Sequence, residues 1–507
     1  MNKDSIAFVT TPKELADVMV KLITKDRKAK ILDTGSGKGV FVDRLLNASF
    51  KCVYGIELND TFFEFCKERY PQATFYKSDF LSWKNPHTYD VIIGNPPYMH
   101  FNSLPKFIQR RVSEITQTEE ADIYYAFIIR SINLLRDGGE LIYIVPYHFF
   151  YNTYATLVRK TILSKGCLDI VIDLDELRLF KDNHPETVIF KFIKTRKKIP
   201  MNILKVKNRN IKIDEIANVL NAMENKVGNE FFSYRERNQF NINNETWSVY
   251  PKVEIPRYKF LENIAYVGVG FVSGYKEGFI LTYDELTEIN TEEKKFVYDF
   301  VGAKSCNSFW VGEYSKLMVL NSIHNEKELM NKCPALYDKL LPHKEDMSSR
   351  YLPRGVRWFD WMALRNKSLL DANARKPKIF VPSMDRHKKN KFSLTYDFVY
   401  AEGSANFIVP RSVDPFFLLG YLNSDFFRRY YLSLGARRGG RISFAQSVLS
   451  KCKIPTFTKE IVSHISSIAK YIYYHKDTSR RTAIDEIIAD AFEKKLFRKV
   501  GIDRFLN

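Results

Sequence analysis

Short apolar runs alternate with longer amphipathic stretches through the first 200 residues. Runs at 31–32, 52–56, 74–76, 91–93, 141–145, 170–174 and 188–193 have the length and content of strands. Between several of them apolar residues recur at three- and four-residue intervals, which predicts helices at 12–23, 41–46, 61–69, 123–135 and 155–163. This alternation predicts an α/β fold on a doubly wound, mainly parallel sheet, with an antiparallel strand admissible near Val188. Residues 194–200 read as a charged break after the last of these strands, and 235–245, polar and Asn-rich, as a hinge. From about 255 the pattern changes to short strand-like pieces separated by glycines, as expected of a mixed α/β domain. After Pro455 amphipathic spacing returns at 461–474 and 483–496, which suits packing helices. The predicted domains are 1–240 and 255–507, the second with a helical part from about 456.

The first strand runs into Asp33-Thr34-Gly35-Ser36-Gly37-Lys38-Gly39 and then directly into a helix. Glycines there allow close approach of a ligand and positive φ. A dinucleotide fingerprint would need glycine at position 40, which is Val40, and a phosphate-binding P-loop would need Ser or Thr at Gly39. Neither phosphate cradle fits. The second strand ends in Glu57, a carboxylate placed to accept from two ribose hydroxyls, and the third ends in Asp79-Phe80, an acceptor for an exocyclic amine beside a ring that can cover a base. Taken singly, each carboxylate could be a helix N-cap or a solvated loop residue. Three at successive strand ends suggest a site for a nucleoside without phosphate.

After the fourth strand comes Gly94-Asn95-Pro96-Pro97-Tyr98. Adjacent prolines fix φ and remove two backbone donors, which makes a rigid turn with free carbonyls. Such a turn can be purely structural, but here it falls at a strand end beside the nucleoside site.

In these motifs and their order the chain resembles the gamma-class N6-adenine DNA methyltransferases of type II restriction-modification, the group that includes the TaqI methyltransferase. The resemblance covers about the first 195 residues. It implies the S-adenosylmethionine-dependent methyltransferase fold, with a C-terminal DNA-recognition domain. Residues 8–12, with Thr11 and Pro12, look like the motif that closes over the methionine end of S-adenosylmethionine. Asp33, Gly35 and Gly37 look like the glycine loop, Glu57 like the ribose carboxylate, and Asp79 and Phe80 like the pair that holds the adenine. Asn95, Pro96 and Tyr98 match the catalytic motif, and Asn95 also borders the cofactor. Phe180 looks like a second aromatic, which with Tyr98 would stack on the target base.

The implied chemistry needs these residue types. Adenine N6 is a poor nucleophile because its lone pair is delocalised into the ring. If Asn95 Oδ1 and the Pro96 carbonyl each accept one N6 hydrogen, that lone pair becomes available for in-line attack on the sulfonium methyl. Proximity supplies much of the rate, and neither a metal nor a covalent intermediate is expected. The base must leave the duplex to reach such a site.

Composition adds a location for the partner. The 507 residues carry 78 Lys and Arg against 59 Asp and Glu, a net +19, with 45% hydrophobic and 14% aromatic residues, which excludes an unstructured polycation. Residues 371–507 hold 25 basic and 13 acidic residues, so +12 of the charge lies there. Three clusters are candidates for DNA contact: Arg354 and Arg357; Arg386, Lys388 and Lys389; and Arg437, Arg438 and Arg441. For each, a solvated charged face is the competing reading. Six scattered cysteines without C-x-x-C spacing read as reduced thiols and predict no metal site. No signal-like start and no run of ~18 apolar residues is present, so a cytoplasmic protein without a membrane partner is expected. His100, His148 and His184 have no obvious partner in sequence and receive no catalytic role.

The leading expectation is a sequence-specific DNA adenine-N6 methyltransferase acting on duplex DNA beside a cognate restriction endonuclease, in function if not in physical contact. An RNA or protein-glutamine N-methyltransferase is the alternative, but those enzymes usually carry a small substrate domain before the core. A catalytically inactive DNA-binding specificity protein is a second alternative, against which the intact Asn95 to Tyr98 argues.

Overall fold

A computed structural model describes residues 10–84, 87–175, 177, 186–207, 211–242, 246–438 and 441–497. The chain divides into two compact units, Met1–Val249 and Tyr250–Asn507.

The first unit is a nine-stranded sheet. In chain order its strands are β1 Lys30–Asp33, β2 Cys52–Glu57, β3 Thr74–Lys77, β4 Tyr89–Gly94, β5 Leu135–Pro146, β6 Cys167–Asp173, β7 Thr187–Ile193, β8 Met201–Val206 and β9 Phe232–Arg237. They lie in the order β3-β2-β1-β4-β5-β7-β6-β8-β9. The run from β3 to β5 is parallel, and β7 enters antiparallel between β5 and β6. The mainly parallel sheet and the reversed strand near Val188 thus agree with the sequence. Every residue of β4 is buried, because a central parallel strand is covered on both faces and reads as a continuous apolar run.

Helices α1 Lys13–Lys21, α2 Val40–Asn47, α3 Asp60–Arg69, α4 Lys106–Thr116, α5 Ile123–Leu134 and α6 Thr156–Lys165 connect or cover the strands. Each except α4 follows the predicted periodicity. In α4 only Ile108, Val112 and Thr116 are buried, a stripe too narrow to stand out in the sequence. Helix α5 is the opposite case: Ile123 to Ile129 are all buried, as a helix apolar on every side requires.

Two expectations are corrected here. The charged break at 194–200 does not end the sheet, since β8 pairs with β6 and β9 with β8 beyond it. The presumed hinge begins inside β9, where Arg235 and Arg237 donate to the carbonyls of Val249 and Ser248. Phe240 then stacks on buried Trp247, with centroids 4.7 Å apart, and both rings pack against Phe150. β9, Phe-Ser-Tyr-Arg-Glu-Arg, is too polar to be read as a strand without its partner. Residues 243–245 lie outside the described set.

The second unit combines a five-stranded and a four-stranded sheet with smaller ribbons. In the larger sheet Lys378–Pro382 lies between Ala405–Pro410 and Ser393–Thr395. Helix Pro415–Asn423 is buried from Phe416 onward, and Lys459–His475 packs on it through Ile461, Ile465, Ala469 and Ile472. Gly420 permits that approach, for a Cβ there would stand 2.8 Å from Ile465. Both helices predicted after Pro455 are present, the second as Arg481–Glu493. No described helix is long and apolar enough to cross a membrane.

Candidate active site

Strand register sets the site. Asp33 pairs with both Gly55 and Ile93, and Glu57 with Lys77, so the carboxyl ends of β1, β2, β3 and β4 share one edge of the sheet. Strand order reverses at β1, which opens a crevice at that edge. A cavity of about 720 Å³ occupies it, lined by Thr11, Gly35, Glu57, Asp79, Phe80 and Asn95 among others, with Pro96 beside them. Of the other residues expected there, Pro12, Asp33, Gly37 and Tyr98 do not line the cavity. Phe180, like residues 8–9 of the N-terminal motif, lies outside the described residues.

The glycine loop is held from below. Gly37 (φ 51°) and Gly39 (φ 76°) are in the left-handed region, and a Cβ on Gly39 would stand 2.5 Å from the Tyr70 ring. Glu57 fixes the loop, accepting from Gly37 N at 2.7 Å with Oε2 and from Asn59 N at 2.8 Å with Oε1. At Gly35 a Cβ would meet nothing within 4 Å, so this glycine leaves open space. The buried Cys66 thiol donates to the Gly37 carbonyl and is pushed up to about 12, chiefly by burial, which makes it an inert support beneath the loop.

Asp33 is fully buried, and that burial, with the charge of Glu57 second, pushes its carboxyl up to about 8 from 3.8. Below pH 3.8 it is protonated in both folded and unfolded chains. Between 3.8 and 8 only the unfolded chain releases the proton, so ionisation favours unfolding and stability falls as pH rises. Above 8 the full penalty is in place. Asp33→Asn is therefore expected to raise the unfolding temperature over wild type by a margin that grows through this window and then levels off. Thermal melts of both proteins across that pH range check it, and a margin independent of pH would contradict the assignment.

At one end of the cavity Asp79 accepts from Leu81 N and from Arg111 on α4. The Phe80 ring lies 4.9 Å from Phe127 of α5, and the Arg130 guanidinium stands 5.6 Å over Phe80. Phe107, exposed on the first turn of α4, completes this rim. Sequence reading missed Arg111, Phe107 and Phe127, which come from helices with no motif of their own.

At the other end Asn95 Nδ2 donates to Thr11 Oγ1 at 3.1 Å, while Asn95 Oδ1 is buried without a hydrogen-bond partner among the described residues. The Tyr98 hydroxyl donates to the Ile144 carbonyl at 3.0 Å, and its ring meets Tyr124 edge-on. His148 corrects the sequence reading: its Nε2 lies 2.7 Å from Asp122 Oδ2 and 3.1 Å from the Tyr124 hydroxyl. This contact ties the turn after β5 to the start of α5, a pairing across 26 residues that no local spacing reveals. His100 is exposed and accepts from Asn102 N, and His184 lies outside the described residues.

In the second unit two basic clusters meet. Met384–Asp385 pairs with Arg441–Ser443, which pairs with Arg437–Arg438, so the segments around Arg386 and Arg441 belong to one ribbon. Arg386, Lys388 and Lys389 are exposed and Arg441 is half-buried. Buried Asp385 accepts from His387 N, and Arg428 donates to the His387 carbonyl at 2.7 Å and to Asn390 Oδ1 at 3.0 Å, which braces the turn.

Two of the residues expected at DNA are engaged within the fold. Arg437 is only 3% exposed, with its guanidinium over the Tyr250 ring. Arg357 meets both Asp360 oxygens at 2.7 Å, donates to the Ile323 and Asn321 carbonyls and covers Phe359. Its donors serve the fold. Arg354 is exposed, and the side chain of Arg438 lies outside the described residues.

Residues 47–180 match the family described as Eco57I restriction-modification methylase. The type II methyltransferase M.MjaIV of Methanocaldococcus jannaschii is 41% identical over 265 residues, 51% of this chain and 89% of that protein. M.HindII of Haemophilus influenzae, also a type II methyltransferase, is 26% identical over 481 residues, covering 88% of this chain and 89% of its own. The solved structure of the type IIL restriction-modification enzyme MmeI in complex with DNA superposes with a TM-score of 0.62 over 96% of this chain and 70% of that one, at 12% identity, a likeness of fold. The extent of the match to M.MjaIV decides the matter: the chain belongs to the type II methyltransferases of restriction-modification systems.

Proposed function

We propose that this methyltransferase modifies the N6 amine of adenine in duplex DNA at a specific sequence, with S-adenosylmethionine as methyl donor, and so protects that sequence from a restriction endonuclease that cuts it. The observation that carries this reading is Asn95, which lines the cavity and whose Oδ1 is buried and meets no donor among the described residues. Leaving such a group unmet costs about 1–3 kcal/mol, which an amine hydrogen from a substrate removes.

The residues fit the donor molecule. Glu57 has lone pairs left to accept from a ribose diol, Asp79 can accept from an exocyclic amine beside Phe80 and Phe127, and the open space at Gly35 admits a ligand against the backbone. When bound, S-adenosylmethionine supplies a methyl group already activated by its sulfonium. The protein's part lies with the acceptor amine: Asn95 Oδ1 and the Pro96 carbonyl each take one N6 hydrogen and draw the nitrogen out of the ring plane. The Tyr98 ring, anchored through its hydroxyl, offers a face for the base, which has to be turned out of the duplex. Exposed cations of the second unit hold the DNA backbone.

Incubating the protein with varied duplex DNA and methyl-labelled S-adenosylmethionine, then digesting to nucleosides, tests the reading. Label is expected in N6-methyladenine. Label in another base, or none in any DNA, would overturn it.

A further inference from the structure

The side chains of Asn95 and Thr11 meet at the cavity wall, with Asn95 Nδ2 donating to Thr11 Oγ1 at 3.1 Å. Thr11 is itself 3% exposed. On the other side of the same amide, Oδ1 is buried and has no partner among the described residues. An amide turned over about its last bond exchanges oxygen and nitrogen in nearly the same volume, so shape alone does not choose between the two states. Turned over here, the amide would offer its oxygen to Thr11 and leave both N–H donors in the unpartnered position. A buried N–H without a partner is rarer than an under-used carbonyl, and the state with nitrogen on Thr11 is the less costly one. It is also the only productive one. An aromatic amine whose lone pair is delocalised presents hydrogens, and a reversed amide would set donors against donors.

We infer that Thr11 is a positioning residue: its hydroxyl, as acceptor for Nδ2, keeps the oxygen of the catalytic amide available to the substrate amine. This rests on the reading of Asn95 proposed above. The segment that leads into α1 thereby does more than border the cavity, since the reactivity of the acceptor amine depends on it.

Single-turnover methylation at saturating DNA and S-adenosylmethionine tests the inference on wild type, Thr11→Val, Thr11→Ser and Asn95→Ala, with cofactor affinity measured by calorimetry. Thr11→Val keeps the shape and loses the acceptor, and is expected to lower the rate roughly 10- to 100-fold. Because Thr11 also lines the cavity, the variant's cofactor dissociation constant is measured separately, and the loss of rate should persist when S-adenosylmethionine saturates the variant. Thr11→Ser, which retains the hydroxyl, is expected to recover the rate to within about threefold. The inference is overturned if Thr11→Val methylates at the wild-type rate while Asn95→Ala is inactive, if its loss falls on cofactor affinity, or if Thr11→Ser is as slow as Thr11→Val. A wild-type protein that leaves adenine unmethylated overturns the underlying reading of Asn95, and is told apart because it fails before any substitution.

Discussion

Asn95→Ala is expected to slow single-turnover methyl transfer about a thousandfold while leaving the dissociation constant of S-adenosylmethionine within roughly fivefold of wild type. The asymmetry follows from position. Glu57 and Asp79, which would hold the nucleoside, stand at the ends of β2 and β3 and bond to other groups than Asn95. In the fold Asn95 makes one side-chain hydrogen bond among the described residues, to Thr11, and the loss of such a bond costs about 1 kcal/mol. On the proposed reading, what the alanine removes is an acceptor whose partner arrives only with the substrate. Stabilisation realised at the reacting atom lowers the barrier without adding equally to ground-state binding. A variant that loses cofactor affinity in step with rate would move Asn95 from the chemistry to the binding site.

Replacing Arg386, Lys388, Lys389 and Arg441 together by alanine is expected to weaken duplex DNA binding roughly 100- to 1,000-fold near 0.1 M salt. The slope of log K against log salt should fall by about 0.9 for each phosphate that the variant no longer neutralises. Since these side chains extend from a ribbon braced by Asp385 and Arg428, the substitutions should leave the melting temperature near that of wild type. Arg357→Ala should do the reverse. Asp360 Oδ1 and two carbonyls lose this donor, while Asp360 Oδ2 keeps only the backbone N–H of residue 357, so the second unit should lose ~1–3 kcal/mol of stability with little change in the salt slope. Fluorescence anisotropy titrations over a salt series, with denaturant melts, distinguish the two outcomes. An unchanged slope in the fourfold variant would remove the ribbon from the DNA-binding surface.

The parts legible in the sequence were those whose physics is local. Central strands such as β4 are buried on both faces and announce themselves as unbroken apolar runs, and the carboxylates at their ends could be placed from chain order alone. Gly37 and Gly39 were readable because positive φ restricts the residue type. What escaped was set by distant partners. β9 is polar and becomes a strand only beside β8. Helix α4 shows three buried positions, yet it carries the guanidinium that meets Asp79. His148 looked solitary because Asp122 lies on another element, and the clusters around Arg386 and Arg441 looked separate because strand pairing joins them. The partners of Arg357 and Arg437 escaped for the same reason: sequence shows a cation but not the carboxylate or ring that engages it.

The placement of β7 bears on how such a protein can diverge. Asp173 at the end of β6 stands beside Val188, and Thr187 at the start of β7 beside Pro146, so both feet of the intervening link are pinned at the edge that holds Asn95. The pairing of β5, β7 and β6 is fixed on the core side of those feet. Changes that break the β5–β7 or β7–β6 pairing would therefore displace that edge, so divergence of the chain is constrained along these three strands.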